Sequence, residues 1–223
     1  MRFPNAAKGV KKIFTAEILS LIAVLIGGTV MVLATVLGIS ASENNETAAG
    51  VIIIALFVCA IAALVMLIVG GIMNIVGYIQ AAIDEAGFAR AIVCTIFSVI
   101  FYVLGTLFQG TEGVLSWLCA ISLIASQLLR MLVTIFAIGG LINLSDRCDR
   151  PDMVNKGQNI VRVLCAIYVL NCVAILSKEL FGDILSNDIF ISVLTIVAAV
   201  LMVVEFVLYL SYLSKAAKML REH

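Results

Sequence analysis

Long apolar runs separated by short polar clusters organise the whole chain. A membrane helix needs roughly 20 predominantly apolar residues to cross about 30 Å of hydrocarbon, and six stretches qualify: 13–39, 50–79, 88–108, 114–144, 160–180 and 189–213. Breaks fall at Ser40–Thr47, Gln109–Gly113 and Gly182–Asp188, where polar and turn-forming residues gather. The runs do not alternate with period two, which excludes a transmembrane barrel. The expected fold is an all-α integral membrane protein, a six-transmembrane-helix bundle in which residues 1–223 form a single transmembrane domain.

The basic residues set an orientation. Arg2, Lys8, Lys11 and Lys12 precede the first span; Arg90 lies at the start of the third; Arg147, Arg150, Lys156 and Arg162 surround the fourth connection; Lys215, Lys218 and Arg221 follow the sixth span. All of these fall on one side, against Lys178 alone on the other, while Arg130 lies inside a span. The positive-inside rule then predicts a multi-pass protein of the plasma (cytoplasmic) membrane with both termini inside. The first run is much longer than the 7–15 residues or so of a signal-peptide core, so it reads as a retained anchor. Asn45-Glu46-Thr47 has the form of a glycosylation acceptor on the outer side, a form that also arises by chance. Neither end carries a lipidation motif.

A weak repeat runs through the chain. The second span ends Gly70-Gly71-Ile72-Met73-Asn74-Ile75 and the fourth ends Gly139-Gly140-Leu141-Ile142-Asn143-Leu144, both of the form G-G-φ-φ-N-φ. Gly9, Gly87 and Gly157 precede the first, third and fifth spans. These matches predict three tandem helical-hairpin repeats, 6–80, 81–150 and 151–223, all in the same sense rather than inverted. The third copy departs from the pattern: aligning Tyr78 with Tyr212 sets Glu205 opposite Gly71 and Leu208 opposite Asn74. Chance recurrence of glycine pairs is the alternative. In either case glycine pairs let a neighbouring backbone approach closely in lipid. The second and fourth spans, at about 45 Å of helix each, exceed the hydrocarbon and are expected to protrude on the cytoplasmic side. Both prolines, Pro4 and Pro151, lie outside the spans, so no span is broken in the manner of many transporters.

Composition narrows the function classes. Hydrophobic residues make up 63% of the chain, charged residues 13%, and mean hydropathy is +1.20, which excludes a water-soluble domain and a disordered chain. Zero formal net charge gives no footprint for nucleic acid. The single histidine is His223, which removes serine–histidine and histidine–metal chemistry from the membrane. No phosphate loop is present, so an enzyme is not expected, nor a cofactor or metal. The six cysteines (Cys59, Cys94, Cys119, Cys148, Cys165 and Cys172) show no ligand spacing and read as small apolar filler.

Two ionisable residues lie deep in spans: Arg130 in the fourth and Glu205 in the sixth. Each costs about 2.5–3.5 kcal/mol at the bilayer centre on insertion scales, so compensation is required. Each follows the outer end of its span by 16 residues, and the two helices run in the same direction, which predicts an Arg130–Glu205 pair at shared depth. Ser122, Ser126, Arg130 and Thr134 recur every four residues, with Gln127 beside them, making one stripe of the helix polar. Glu17, Asn74 and Asn143 extend polar chemistry toward the cytoplasm as secondary candidates, with Arg162 and Asn171 nearby. The pattern predicts an interior cavity opening, if anywhere, to the cytoplasm.

Two readings stand side by side. One is a small solute-binding or transport component with its polar site at Arg130, Glu205, Gln127, Ser126 and Thr134; arginine there favours a small anionic or zwitterionic solute. The other is a non-transporting scaffold or accessory subunit whose polar residues hold helices together. The lipid bilayer is the expected partner in both. Glycine-rich faces leave room for a helix-packing partner or a homo-oligomer.

Overall fold

A computed structural model describes the backbone of 3–40, 46–108, 114–181 and 188–222; within those helices the side chains at 36–52, 114–116, 171, 174–192, 194–195, 198–199 and 202 lie outside the description. The described residues form six helices and no strand: α1 (Pro4–Ser40), α2 (Glu46–Ala82), α3 (Ala86–Leu107), α4 (Val114–Arg147), α5 (Pro151–Phe181) and α6 (Asp188–Glu222). Both prolines open a helix, α1 and α5, at the first helical position. Proline's fixed φ suits that position, and its missing N–H has no partner to lose there. Asn45, Lys178 and Asn171, singled out above, fall among the positions or side chains outside the description.

Among the described residues, four helices are long and apolar enough to cross a membrane: Pro4–Thr35, Ile53–Ala82, Ala86–Leu107 and Trp117–Arg147. Many of their large apolar side chains point outward; Met31 is 73% exposed and Leu107 70%. In water such a surface would be an extended unburied apolar patch, whereas in lipid it is the expected exterior. These helices point to a membrane protein.

The helices run further than the apolar stretches at one set of ends. Residues 4–12, 145–147, 151–159 and 214–222 are helical although each lies outside the span read from hydropathy. The reason is amphipathicity. Along α6, Tyr212, Leu213, Ala216, Ala217, Met219 and Leu220 are buried, while Lys215 and Lys218 are exposed. This is the i, i+3, i+4 spacing of a helix buried on one side and wet on the other. Along α1, Ala6, Val10 and Ile13 are fully buried, while Lys8 and Lys11 face out.

Contacts divide the chain into two compact units, one comprising residues 1–10 and 78–223, the other 11–77. In the first unit α3 packs along α4, α4 along α5 and α5 along α6, with a brief α4–α6 contact. Its fully buried large side chains include Phe88, Ile138, Leu141, Leu144, Leu164, Tyr212, Leu213 and Leu220. They cluster where α3 and α5 begin and α4 and α6 end. Burial of each leucine from water is worth about 1.5–3 kcal/mol. The turn from α4 into α5 is closed by Asp149 N–H to Asp146 O and Arg150 N–H to Ser145 O, both 3.0 Å. Asp149 there has φ 54°, the left-handed cap position that aspartate tolerates better than most side chains.

In the second unit the close approach is at Gly70, where an added Cβ would lie 2.9 Å from Ser20 Oγ and 3.3 Å from Ala16 O. Gly71 has open space on its Cβ side. The other pair is also split: Gly140 sits against Phe88, and Gly139 faces open space. Among the described residues one glycine of each pair meets a neighbouring helix, since consecutive residues point about 100° apart on a helix.

Candidate intramembrane polar site

The α3–α4 register fixes the depth of the site. Ser126 Oγ donates to Ser98 O at 3.1 Å and Ser98 Oγ donates to Ser126 O at 3.5 Å. Nearer the helix ends, Gly87 meets Gly140 and Gly105 meets Leu123. The 22 residues of α3 span about 33 Å, one hydrocarbon thickness. Counting antiparallel from Ser98–Ser126 sets Arg130 level with Cys94, about 4 Å from the midpoint of α3. Arg130 is therefore level with the middle of α3.

The four-residue recurrence does not keep one direction. Each step of four turns the side chain through about 40°, since a helix advances about 100° per residue. Ser126 accordingly faces α3, and Thr134 faces α5, where its hydroxyl lies 3.5 Å from that of Tyr168. Thr134 also donates to Arg130 O at 3.2 Å. Arg130 projects between those two directions and is exposed, while Gln127 is half-buried. Ser122 and Ser126 are buried.

Arg130 and Glu205 do not form the direct pair expected from their spacing: among the described residues no ion pair joins them. Tyr168 on α5 instead has its hydroxyl 3.5 Å from that of Thr134. Tyr168 is buried, 6% exposed, so α4 and α5 are joined through Thr134 and Tyr168. Tyr168 was not evident from the sequence, although a tyrosine in the middle of an apolar run, away from the interfacial belt, is a usable signal.

The expected opening toward the cytoplasm is not seen among the described residues of the first unit. Between the polar site and the basic end of α4–α6 lie Ile138, Leu141, Leu144, Leu164 and Leu213, each at most 1% exposed. A packed apolar layer occupies that place.

The secondary candidates are engaged elsewhere. In the second unit Asn74 Nδ2 donates to Glu17 Oε1 at 2.9 Å. In the first unit Asn143 Nδ2 donates to Glu85 Oε1 at 3.2 Å, and Glu85 Oε2 lies 3.1 Å from Arg147 Nη2. The asparagine of each G-G-φ-φ-N motif thus reaches across to a glutamate on the preceding arm of its hairpin. Asp84, beside Glu85, accepts from Ala6 N–H at 2.7 Å and Asn5 Nδ2 at 3.2 Å. Its carboxylate satisfies a free N–H in the first turn of α1 and complements the positive end of the helix dipole. The turn 83–85 therefore holds two helix ends at once.

The serine pair gives a direct measure of helix-holding in this layer. Ser98→Ala and Ser126→Ala are each expected to lower stability by about 0.6 kcal/mol, as for interhelical bonds in lipid. Thermal unfolding of the singles and the double in a double-mutant cycle reads their coupling. A cycle with no loss in either single would remove these bonds as a stabilising contact.

No family model, no curated protein and no solved structure matches the chain.

Proposed function

We propose that the chain is a six-span protein of the plasma membrane, both termini cytoplasmic, that holds a small anionic or zwitterionic solute at Arg130 and Glu205 without catalysing a reaction on it. The observation that supports this reading is the state of Arg130. It stands level with the middle of α3, exposed, with no carboxylate at ion-pair distance among the described residues, while Ser126, Thr134 and Tyr168 all have protein partners. An arginine in such a layer is costly without a counter-ion, and its planar fork of donors suits a carboxylate or phosphate.

Ligand-dependent thermal stability in lipid nanodiscs tests the reading. A small carboxylate or phosphate solute is expected to raise the unfolding temperature of the wild type and leave Arg130→Ala unchanged. Loss of a charge-assisted contact of about 1.5–3 kcal/mol weakens binding by roughly tenfold to a hundredfold. Equal responses of the two proteins would sink the assignment of Arg130.

The second reading, a scaffold or accessory subunit, is favoured by the reciprocal Ser98–Ser126 bonds and the two asparagine–glutamate bonds, which spend polar groups on helix contact. Under that reading a broad solute screen shifts neither protein.

A further inference from the structure

We propose that Arg90, Lys156 and Arg162 form a basic collar at one edge of the lipid layer and seat the phosphates of anionic phospholipids. Helix register puts the two arginines at one level. A Cβ added to Gly87 would lie 3.1 Å from Gly140 Cα, and one added to Gly157 would lie 2.6 Å from Ile142 Cγ1. Both α3 and α5 run antiparallel to α4. Counting from Gly87–Gly140 sets Arg90 level with Ala137, and counting from Gly157–Ile142 sets Arg162 level with Ala137 too, to within about one turn.

The surface of the first unit changes character there. On α3, Val93, Phe97 and Leu104 follow Arg90 at i+3, i+7 and i+14; on α5, Ala166, Val169 and Val173 follow Arg162 at i+4, i+7 and i+11. All six are exposed, and these spacings return to one face of a helix. Each arginine therefore heads an outward apolar stripe. In the other direction the exposed side of α5 carries Asn159, Lys156 and Asn155. A phospholipid has the same order, a charged phosphate above its acyl chains.

Charge signs are sorted by distance from that level. Lys156 lies about 9 Å from Arg162 along the axis of α5, comparable with the screening length of about 8 Å at physiological ionic strength. The exposed acids stand farther out: Asp146 is about 13 Å past Ala137, Asp152 about 15 Å before Arg162, and Asp149 lies in the turn between them. At that range their repulsion of a headgroup is largely screened. Asp84 and Glu85, nearer to Arg90, are engaged by Ala6, Asn5, Asn143 and Arg147, and Glu205 is half-buried. Among the described residues no carboxylate stands at ion-pair distance from Arg90, Lys156 or Arg162. A headgroup at this edge meets cations first. Lipid binding here requires that the helices cross a bilayer, as proposed above, but not that Arg130 hold a solute.

The test uses the full chain in phosphatidylcholine nanodiscs with and without added phosphatidylglycerol. Native mass spectrometry reads which lipids stay bound, and thermal unfolding reads their effect. Phosphatidylglycerol is expected to be retained in preference to phosphatidylcholine and to raise the unfolding temperature. The preference is expected to fall roughly fivefold for each of Arg90→Gln and Arg162→Gln, the usual effect of one basic residue beside an anionic surface. Arg90→Lys and Arg162→Lys keep the charge and are expected to retain it. Arg221→Gln, at the far end of α6, is the control and is expected to match the wild type. Wild-type protein without a preference, or an equal loss in Arg221→Gln, overturns the collar. Inorganic phosphate that stabilises the protein in phosphatidylcholine as much as phosphatidylglycerol does overturns the lipid as its occupant. If a glutamine variant does not fold, salt decides: the wild-type preference is expected to shrink as salt rises, and a salt-independent preference overturns the proposal. Failure of solutes to bind at Arg130 changes none of these outcomes.

Discussion

Gly157→Ala is expected to destabilise the first unit by about 1–3 kcal/mol, the usual cost of overpacking. The added Cβ would lie 2.5 Å from the Tyr212 hydroxyl and 2.6 Å from Ile142 Cγ1. Neither neighbour moves freely: Tyr212 is 1% exposed, and its hydroxyl donates to Met153 O at 3.3 Å in the first turn of α5. Displacing that hydroxyl also weakens a hydrogen bond worth about 0.5–1.5 kcal/mol net. Against these stands about 0.8–1 kcal/mol gained by alanine over glycine in a helix, which is too small to reverse the sign. Gly139→Ala is the control, because nothing among the described residues lies within 4 Å of its added Cβ; there the propensity gain is unopposed and a small stabilisation is expected. Adding Ile142→Ala to Gly157→Ala should recover part of the loss. Equal unfolding temperatures for Gly157→Ala and Gly139→Ala would remove close approach as the reason for glycine at 157.

Arg147→Ala is expected to cost about 1–3 kcal/mol, more than Glu85→Gln does. The asymmetry follows from burial, since the Glu85 side chain is 8% exposed and that of Arg147 55%. Removing arginine leaves a nearly buried carboxylate with Asn143 as its remaining side-chain donor among the bonds described above, and an under-compensated buried charge is penalised heavily. Removing the charge of Glu85 releases an arginine that water already reaches, and glutamine can still accept from Asn143. The double variant Arg147→Ala, Glu85→Gln should therefore be more stable than Arg147→Ala alone. A double variant no better than the single would show that Glu85 does not depend on Arg147 for its charge.

Much of the fold was legible in the apolar runs, and where it was not the cause is definite. Each of the six stretches lies within, or within one residue of, one helix, and α3 matches its stretch to within two residues at either end. The segments 4–12, 151–159 and 214–222 were missed because a window that averages over 20 residues cannot see a stripe. The outward lysines at 8, 11, 215 and 218 cancel the buried alanines and leucines beside them. For the site, Arg130 and Glu205 stood out because ionisable residues are rare in apolar runs. Ser126 and Thr134 were assigned to one face, yet they serve two neighbours, since the 40° drift per four residues accumulates over eight. Glu85 was hidden because a short connection rich in acid reads as solvated, whereas here its carboxylate is turned in against α4.

The membership of the first unit bears on how the protein is made. Residues 4–10 leave the ribosome first among its parts, yet Ala6 and Val10 are fully buried in a unit whose core also draws on Leu213 and Leu220. Asp84, which grips the start of α1, emerges only after all of α2 has been made. Helices can thus form one by one as translation runs, but maturation of this unit waits for the final turns of α6. Until then the earliest-made segment has no finished surface to join.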